Sequence, residues 1–116
     1  MEETKKTVVW KVRTVKDYAD AHNHIFVGVV KGITDSYVRI KCKTFHYGRR
    51  INSSKDVREG AYEVRIIPWN RIEVINELAS DFDVEQAKLT VDNDGETILS
   101  CGKLVCVISS SLGERY

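Results

Sequence analysis

A single proline, Pro68, sits at the centre of the stretch that restricts this chain most. Ahead of it Val64 and Ile66 alternate with Glu63 and Arg65. Pro68-Trp69-Asn70 then interrupts, and Ile72 and Val74 resume the apolar series. Alternation of period 2 is the mark of a strand with one buried and one wet face, which assigns Val64, Ile66, Ile72 and Val74 to the core. Proline supplies no backbone donor and belongs at an edge or corner, so the two strands must fold back or bend sharply. Upstream, Val38, Ile40 and Cys42 alternate in the same way with Tyr37, Arg39, Lys41 and Lys43. From Ile25 to Leu78 the chain therefore reads as two tight strand pairs. Their order is that of a small, strongly bent barrel in a mainly all-β protein.

The rest of the chain fits around this unit. Thr7 to Val15 reads as a first strand with Val8, Trp10 and Val12 on one face and Val9, Lys11 and Arg13 on the other. Thr14 to Asn23 changes period: Thr14 with Asp17 forms a weak capping box, and Val15, Tyr18 and Ala19 fall at helical spacing. Ile25 to Val30 is apolar on both faces, as in a strand covered on both sides or lying at a subunit contact. Gly28 and Gly32 relieve crowding where it bends, and Thr34-Asp35-Ser36 makes a turn. Arg49 to Gly60 lacks apolar alternation and reads as a long loop.

Asn76 to Ala87 is a connector, with Asp83 and Gln86 placed to cap a helical turn. Asn93-Asp94-Gly95 then joins Lys88–Val91 to Thr97–Ser100 as a hairpin, and Leu104–Ile108 adds one more strand. These final segments would bury too little by themselves. Residues 1–116 are thus one domain, with a barrel core over 7–78 and a strand or hairpin extension over 79–116 that covers the barrel or packs on a neighbouring subunit.

Charge narrows the partners. Lys plus Arg number 18 against 17 Asp plus Glu, a formal net charge of +1, so no whole-molecule field draws the chain to nucleic acid, and any basic surface must be local. No run of apolar residues reaches membrane-spanning length and no leader pattern opens the chain, which points to a cytoplasmic protein without a membrane partner. Cys42, Cys101 and Cys106 lack CxxC spacing and fall at apolar strand positions, as buried free thiols do.

Two short patterns carry a resemblance. Gly28 in a bent strand, Asp35 opening a turn, and Val38 and Ile40 in an apolar strand form the first. VRIIPWNRIEVI, two apolar strands about a short turn, forms the second. Residues 25–75 resemble in this the Sm-like barrel of the Sm, LSm and bacterial Hfq proteins. The resemblance implies a five-stranded SH3-like barrel that joins copies of itself edge to edge into a ring, with single-stranded RNA as the usual ligand. The chain departs from the family pattern at informative places. The Gly28–Asp35 gap is one residue longer, Arg39 stands where Sm proteins carry a base-contacting asparagine, and Pro68-Trp69 or Trp69-Asn70 replaces Arg-Gly or Lys-His.

If the two turns meet as the resemblance implies, Asp35, Tyr37, Arg39, Trp69, Asn70 and Arg71 form an RNA site. Aromatic faces stack unpaired bases for ~1–3 kcal/mol per base, and guanidinium and amide groups hydrogen-bond them. The bland alternative has Trp69 capping the barrel and Asp35 bonding its own turn. Lys41, Lys43, Arg49 and Arg50, with His46 and Tyr47 interleaved, form a phosphate-tracking face or else a solvated one, with Asp56, Glu59 and Glu63 close enough to neutralise it. His22 and His24 have only His46 as a further imidazole, short of a metal ligand set, so no metal or cofactor is expected. No phosphate-cradling loop or nucleophile elbow appears, and Asp81, Asp83 and Glu85 read as a solvated patch, so the chain is not expected to be an enzyme. The expectation is a homo-oligomeric barrel that binds single-stranded RNA, or one that assembles with itself or a protein partner without nucleic acid.

Overall fold

The computed structural model describes residues 7–16, 23–48, 56–91 and 96–109. Nine strands are assigned among them: β1 (Val9–Thr14), β2 (Asn23–Ile33), β3 (Tyr37–Tyr47), β4 (Val57–Glu59), β5 (Glu63–Pro68), β6 (Ile72–Leu78), β7 (Lys88–Val91), β8 (Thr97–Cys101) and β9 (Leu104–Ser109). A 3-10 turn, Trp69–Arg71, links β5 to β6. Every pairing is antiparallel. The first six strands form one sheet in the order β4-β3-β2-β1-β6, with β5 also paired to β3, and β7-β8-β9 form a second.

The long β3 carries two partners on one side, β5 along Tyr37–Cys42 and β4 along Phe45–Tyr47. Sharp bending follows from the three-residue link, because β5 and β6 lie at opposite ends of the sheet path and yet follow one another in the chain. Among the described residues the bent sheet stays open, since β5 and β6 are not paired with each other.

Both faces of β2 are covered, as its unbroken apolar run requires. Ile25 and Val27, with Val29, face one core that also holds Val9, Phe45, Tyr47 and Val57 from the first sheet and Leu99, Cys106 and Ile108 from the second. Phe26 and Val30 face the other, built on Val12, Val38, Ile40, Cys42 and Ile67 with Trp10, Trp69, Ile72 and Ile75 around them. Burying each such side chain contributes roughly 1.5–3 kcal/mol. The extension therefore covers the first sheet from outside, and Tyr47 ties the layers by donating its hydroxyl to the Ile108 carbonyl at 3.2 Å.

β1 keeps the two faces expected of it, Val9 entering the outer core beneath the second sheet and Val12 with Trp10 the inner core on the other side. Several other sequence expectations need correction. The stretch read as a loop before Gly60 contains β4, whose Val57 is buried against β3; residues 49–55 lie outside the described residues, as does most of the expected helical segment after Thr14. The largest correction is a phase inversion in β5. Val64 and Ile66 are 49% and 58% exposed, and Ile67 is the buried residue. Register decides this: Ile67, Arg65 and Glu63 stand opposite Val38, Ile40 and Cys42, the inward series of β3. In β6 Ile72 and Ile75 pack inward while Val74 is exposed.

The connector before β7 does form a turn, in which Asp83 Oδ1 accepts from the Gln86 amide at 3.3 Å. Its Phe82, Val84 and Ala87 are buried in the outer core. Thr34, rather than Asp35, closes the β2–β3 turn, its hydroxyl accepting from the amides of Ser36 and Tyr37 at 3.1 Å each.

Burial pushes the Cys42 thiol up, partly offset by the Arg65 guanidinium, and burial likewise raises Cys106, partly offset by Lys11. A thiol whose folded value lies above its unfolded one contributes stability that is fully present below the unfolded value, ~8.5, and is lost as pH rises through the folded value. Urea midpoints are therefore expected to fall from about pH 8.5 upward, and Cys42→Ala with Cys106→Ala to flatten that fall. An unchanged slope in the double variant would remove the thiols as its cause.

Candidate functional site

The two turns of the first sheet meet at one end. Trp69 donates its indole N–H to the Thr34 carbonyl at 2.7 Å and its amide to the Ser36 carbonyl at 3.2 Å, and Pro68 stands opposite Tyr37. Register thus brings together Asp35, Tyr37, Trp69 and Asn70. Asp35, Asn70 and Arg71 are exposed and Tyr37 is half-buried. Trp69 itself packs on the inner core.

The remaining residues of the expected constellation spread out. Arg39 is exposed on the outward face opposite Ile66. Arg71 points to the end of β1, where its carbonyl accepts from the Val15 amide at 2.8 Å and its Nη2 reaches the Val15 carbonyl at 3.4 Å. The end of the sheet consequently offers a phenol ring, an amide and a carboxylate, with one guanidinium to each side.

Two cations of the expected basic face, Lys41 and Lys43, have close partners. Lys43 pairs with Glu59 at 3.5 Å and donates to the Glu85 carbonyl at 3.1 Å beneath the connector. Lys41 lies 5.0 Å from the centre of the Tyr62 ring. Arg49 and Arg50 lie outside the described residues. Asp81, Asp83 and Glu85 are exposed. Among the described residues no three His, Cys, Asp or Glu side chains group as metal ligands, and His24 stacks on His46 with ring centres 3.6 Å apart; His22 is outside the described residues. No helix among them is long and apolar enough to cross a membrane.

A pocket of about 420 Å3 opens between β5 and the β1–β2 end of the sheet. Thr14, His24 and Phe26 line one side and Arg65, Ile66, Ile67 and Pro68 the other, with Arg71 at its margin. Arg65 is firmly held: Nη1 donates to the Cys42 carbonyl at 2.7 Å and the Ala61 carbonyl at 3.0 Å, and Nη2 meets Glu63 Oε1 at 3.0 Å. Sequence reading missed Arg65, because assigning Val64 and Ile66 to the core turned it outward. The signal that could have found it was Ile67, the one apolar residue of the strand in phase with Arg65.

Comparison with protein-family models, with curated proteins and with solved structures finds no match to this chain.

Proposed function

We propose that this protein is an Sm-like protein whose open, bent sheet joins copies of itself edge to edge, β5 of one to β6 of the next, in a ring whose turns at Thr34–Ser36 and Trp69–Arg71 bind single-stranded RNA. The observation that carries the reading is the pair of strands at the ends of one bent sheet, joined by a three-residue turn and each lacking a partner on its outer side among the described residues. These same strands expose Val64, Ile66 and Val74. Unpaired edges with apolar side chains are templates for another strand, and a head-to-tail contact that closes makes a ring. Tyr37, Arg39, Asn70 and Arg71 would supply the stacking and hydrogen bonding that RNA requires.

A second reading keeps the assembly and removes the RNA, leaving a structural or protein-interaction barrel. Two observations favour it: the Trp69 indole N–H is already engaged by Thr34, and Lys43 is already engaged by Glu59.

Light scattering on a size-exclusion column, across protein and salt concentrations, tests the assembly. The expected result is one multimeric species that persists at high salt, and Ile66→Lys, which places a charge on the joining edge, is expected to reduce it to single chains. A wild-type monomer would end the edge-to-edge reading. Fluorescence anisotropy with short RNAs tests the ligand. Salt-sensitive binding weakened by Arg39→Ala and Trp69→Ala is expected, and its absence in a well-formed multimer selects the second reading.

A further inference from the structure

The pocket beside β5 brings together His24, Phe26 and Arg65, which the turn-borne RNA reading leaves unused. We propose that it binds a small planar anion: a ring of nucleobase or indole size bearing one phosphate or carboxylate group.

Size sets the first limit. At about 420 Å3 the pocket falls toward the lower end of the ~300–1,000 Å3 range of small-molecule sites, which suits one compact ligand rather than a polymer. Charge sets the second. Arg65 and Arg71 line the pocket, and among the described residues no carboxylate does. Guanidinium groups match carboxylate and phosphate oxygens through a planar fork of donors.

Arg65 is also in place before any ligand arrives. A guanidinium has five N–H donors, and the contacts to Cys42, Ala61 and Glu63 engage Nη1 and one side of Nη2. Nε and the other side of Nη2 retain donor capacity. A side chain already fixed by its neighbours loses little freedom when it binds, which strengthens the contact. The Glu63 carboxylate offsets part of the Arg65 charge, and the ligand anion would take the donors that Glu63 leaves.

The walls set the third limit. Phe26, Ile67 and Pro68 present apolar surface, and the His24 imidazole is held by its stack on His46. A flat ring inserted between these groups gains both apolar burial and ring-face contact with aromatic and guanidinium planes. An anion without a ring would leave the apolar walls wet. A ring without an anion would leave the remaining donors of Arg65 unused.

Titration of the 15N-labelled chain, followed amide by amide, tests the proposal with four probes: AMP, indole-3-acetate, adenosine and inorganic phosphate. AMP or indole-3-acetate is expected to shift the amides of His24, Phe26, Arg65 and Ile67 with a Kd of about 1 mM or below. Adenosine and phosphate, each offering half of the chemistry, are expected to bind at least about tenfold more weakly. Arg65→Met should cost about tenfold or more for the ring anion, whereas Lys103→Met, exposed on the β8–β9 turn, should leave its affinity unchanged. The proposal is overturned if neither ring anion shifts these amides up to about 10 mM, or if phosphate alone binds as tightly as AMP. Loss of fold in the Arg65 variant would not shield it, since the wild-type titration decides alone. Because the readout is the pocket and not the mass, it is independent of whether copies assemble.

Discussion

Gly28→Ala is expected to be the most damaging single-methyl change in the chain. Gly28 lies in β2 opposite Cys42 of β3 and Trp10 of β1. A Cβ at this position would stand 2.5 Å from Cys42 Cβ and 2.6 Å from Cys42 Cα, and closer still to the Lys41 carbonyl oxygen. The obstruction is mostly backbone, so it cannot rotate away. β2 and β3 must separate or slip, and their pairing is the longest in the molecule.

Overpacking costs roughly 1–3 kcal/mol where side chains can adjust, and a backbone clash in a central strand pair belongs at or above the top of that range. Domains of this size are stable by only ~5–15 kcal/mol, so the urea midpoint should fall by a large fraction. Gly32→Ala provides the contrast, since a Cβ there meets nothing within 4 Å, and its midpoint should move by no more than about 0.5 kcal/mol equivalent. Equal midpoints for the two variants would contradict the close approach of β2 to β3.

Leu99→Ala is expected to be the most damaging change in the second sheet. Leu99 is fully buried in the core between the two sheets, in the company of Phe45, Tyr47 and Phe82. Truncation removes its transfer energy and leaves a cavity that neighbours from two layers only partly fill, a loss of about 2–5 kcal/mol. Val105, across the β8–β9 hairpin and facing solvent at 56% exposure, supplies the comparison: Val105→Ala should stay within about 0.5 kcal/mol. Unfolding by urea, followed by tryptophan fluorescence and by circular dichroism, measures both. If Leu99→Ala lowered stability no more than Val105→Ala, the second sheet would not be packed on the first.

These contrasts also show where sequence pattern carried information. Ile25–Val30 was legible because an apolar run without alternation has few uses other than a strand covered on both sides, and Val27 and Phe26 indeed face different cores. The strands Lys88–Val91 and Thr97–Cys101 do pair as the expected hairpin, while the Asn93-Asp94-Gly95 turn that announced them lies outside the described residues. β5 was misread because alternation gives a period and not a direction. Val64 and Ile66 outweighed Ile67, while the register against β3 that turns Arg65 inward depends on residues twenty or more positions away. The burial of Phe82, Val84 and Ala87 has the same origin: nothing local announces a connector that fills the space between two sheets. The meeting of the two turns followed from the family resemblance. The pocket did not, since it exists only where β5 passes the start of β2.

The pairing of β1 has a consequence for the order in which the chain can form. β1 joins β2 early, through Val9 with Val29, but its other edge waits for β6, where Val9 meets Leu78. A contact of that separation closes a long loop and forms late compared with local hairpins. During synthesis from the N-terminus, β1, β2 and β3 emerge with one edge of β1 open until the chain has been made past Leu78. The second sheet emerges later still, so Ile25, Val27 and Phe45 stay uncovered meanwhile. A nascent chain in this state shows both an open edge and an apolar face, the features that chaperones bind and that aggregation exploits. The covering sheet, encoded after the strands it covers, ends that exposure.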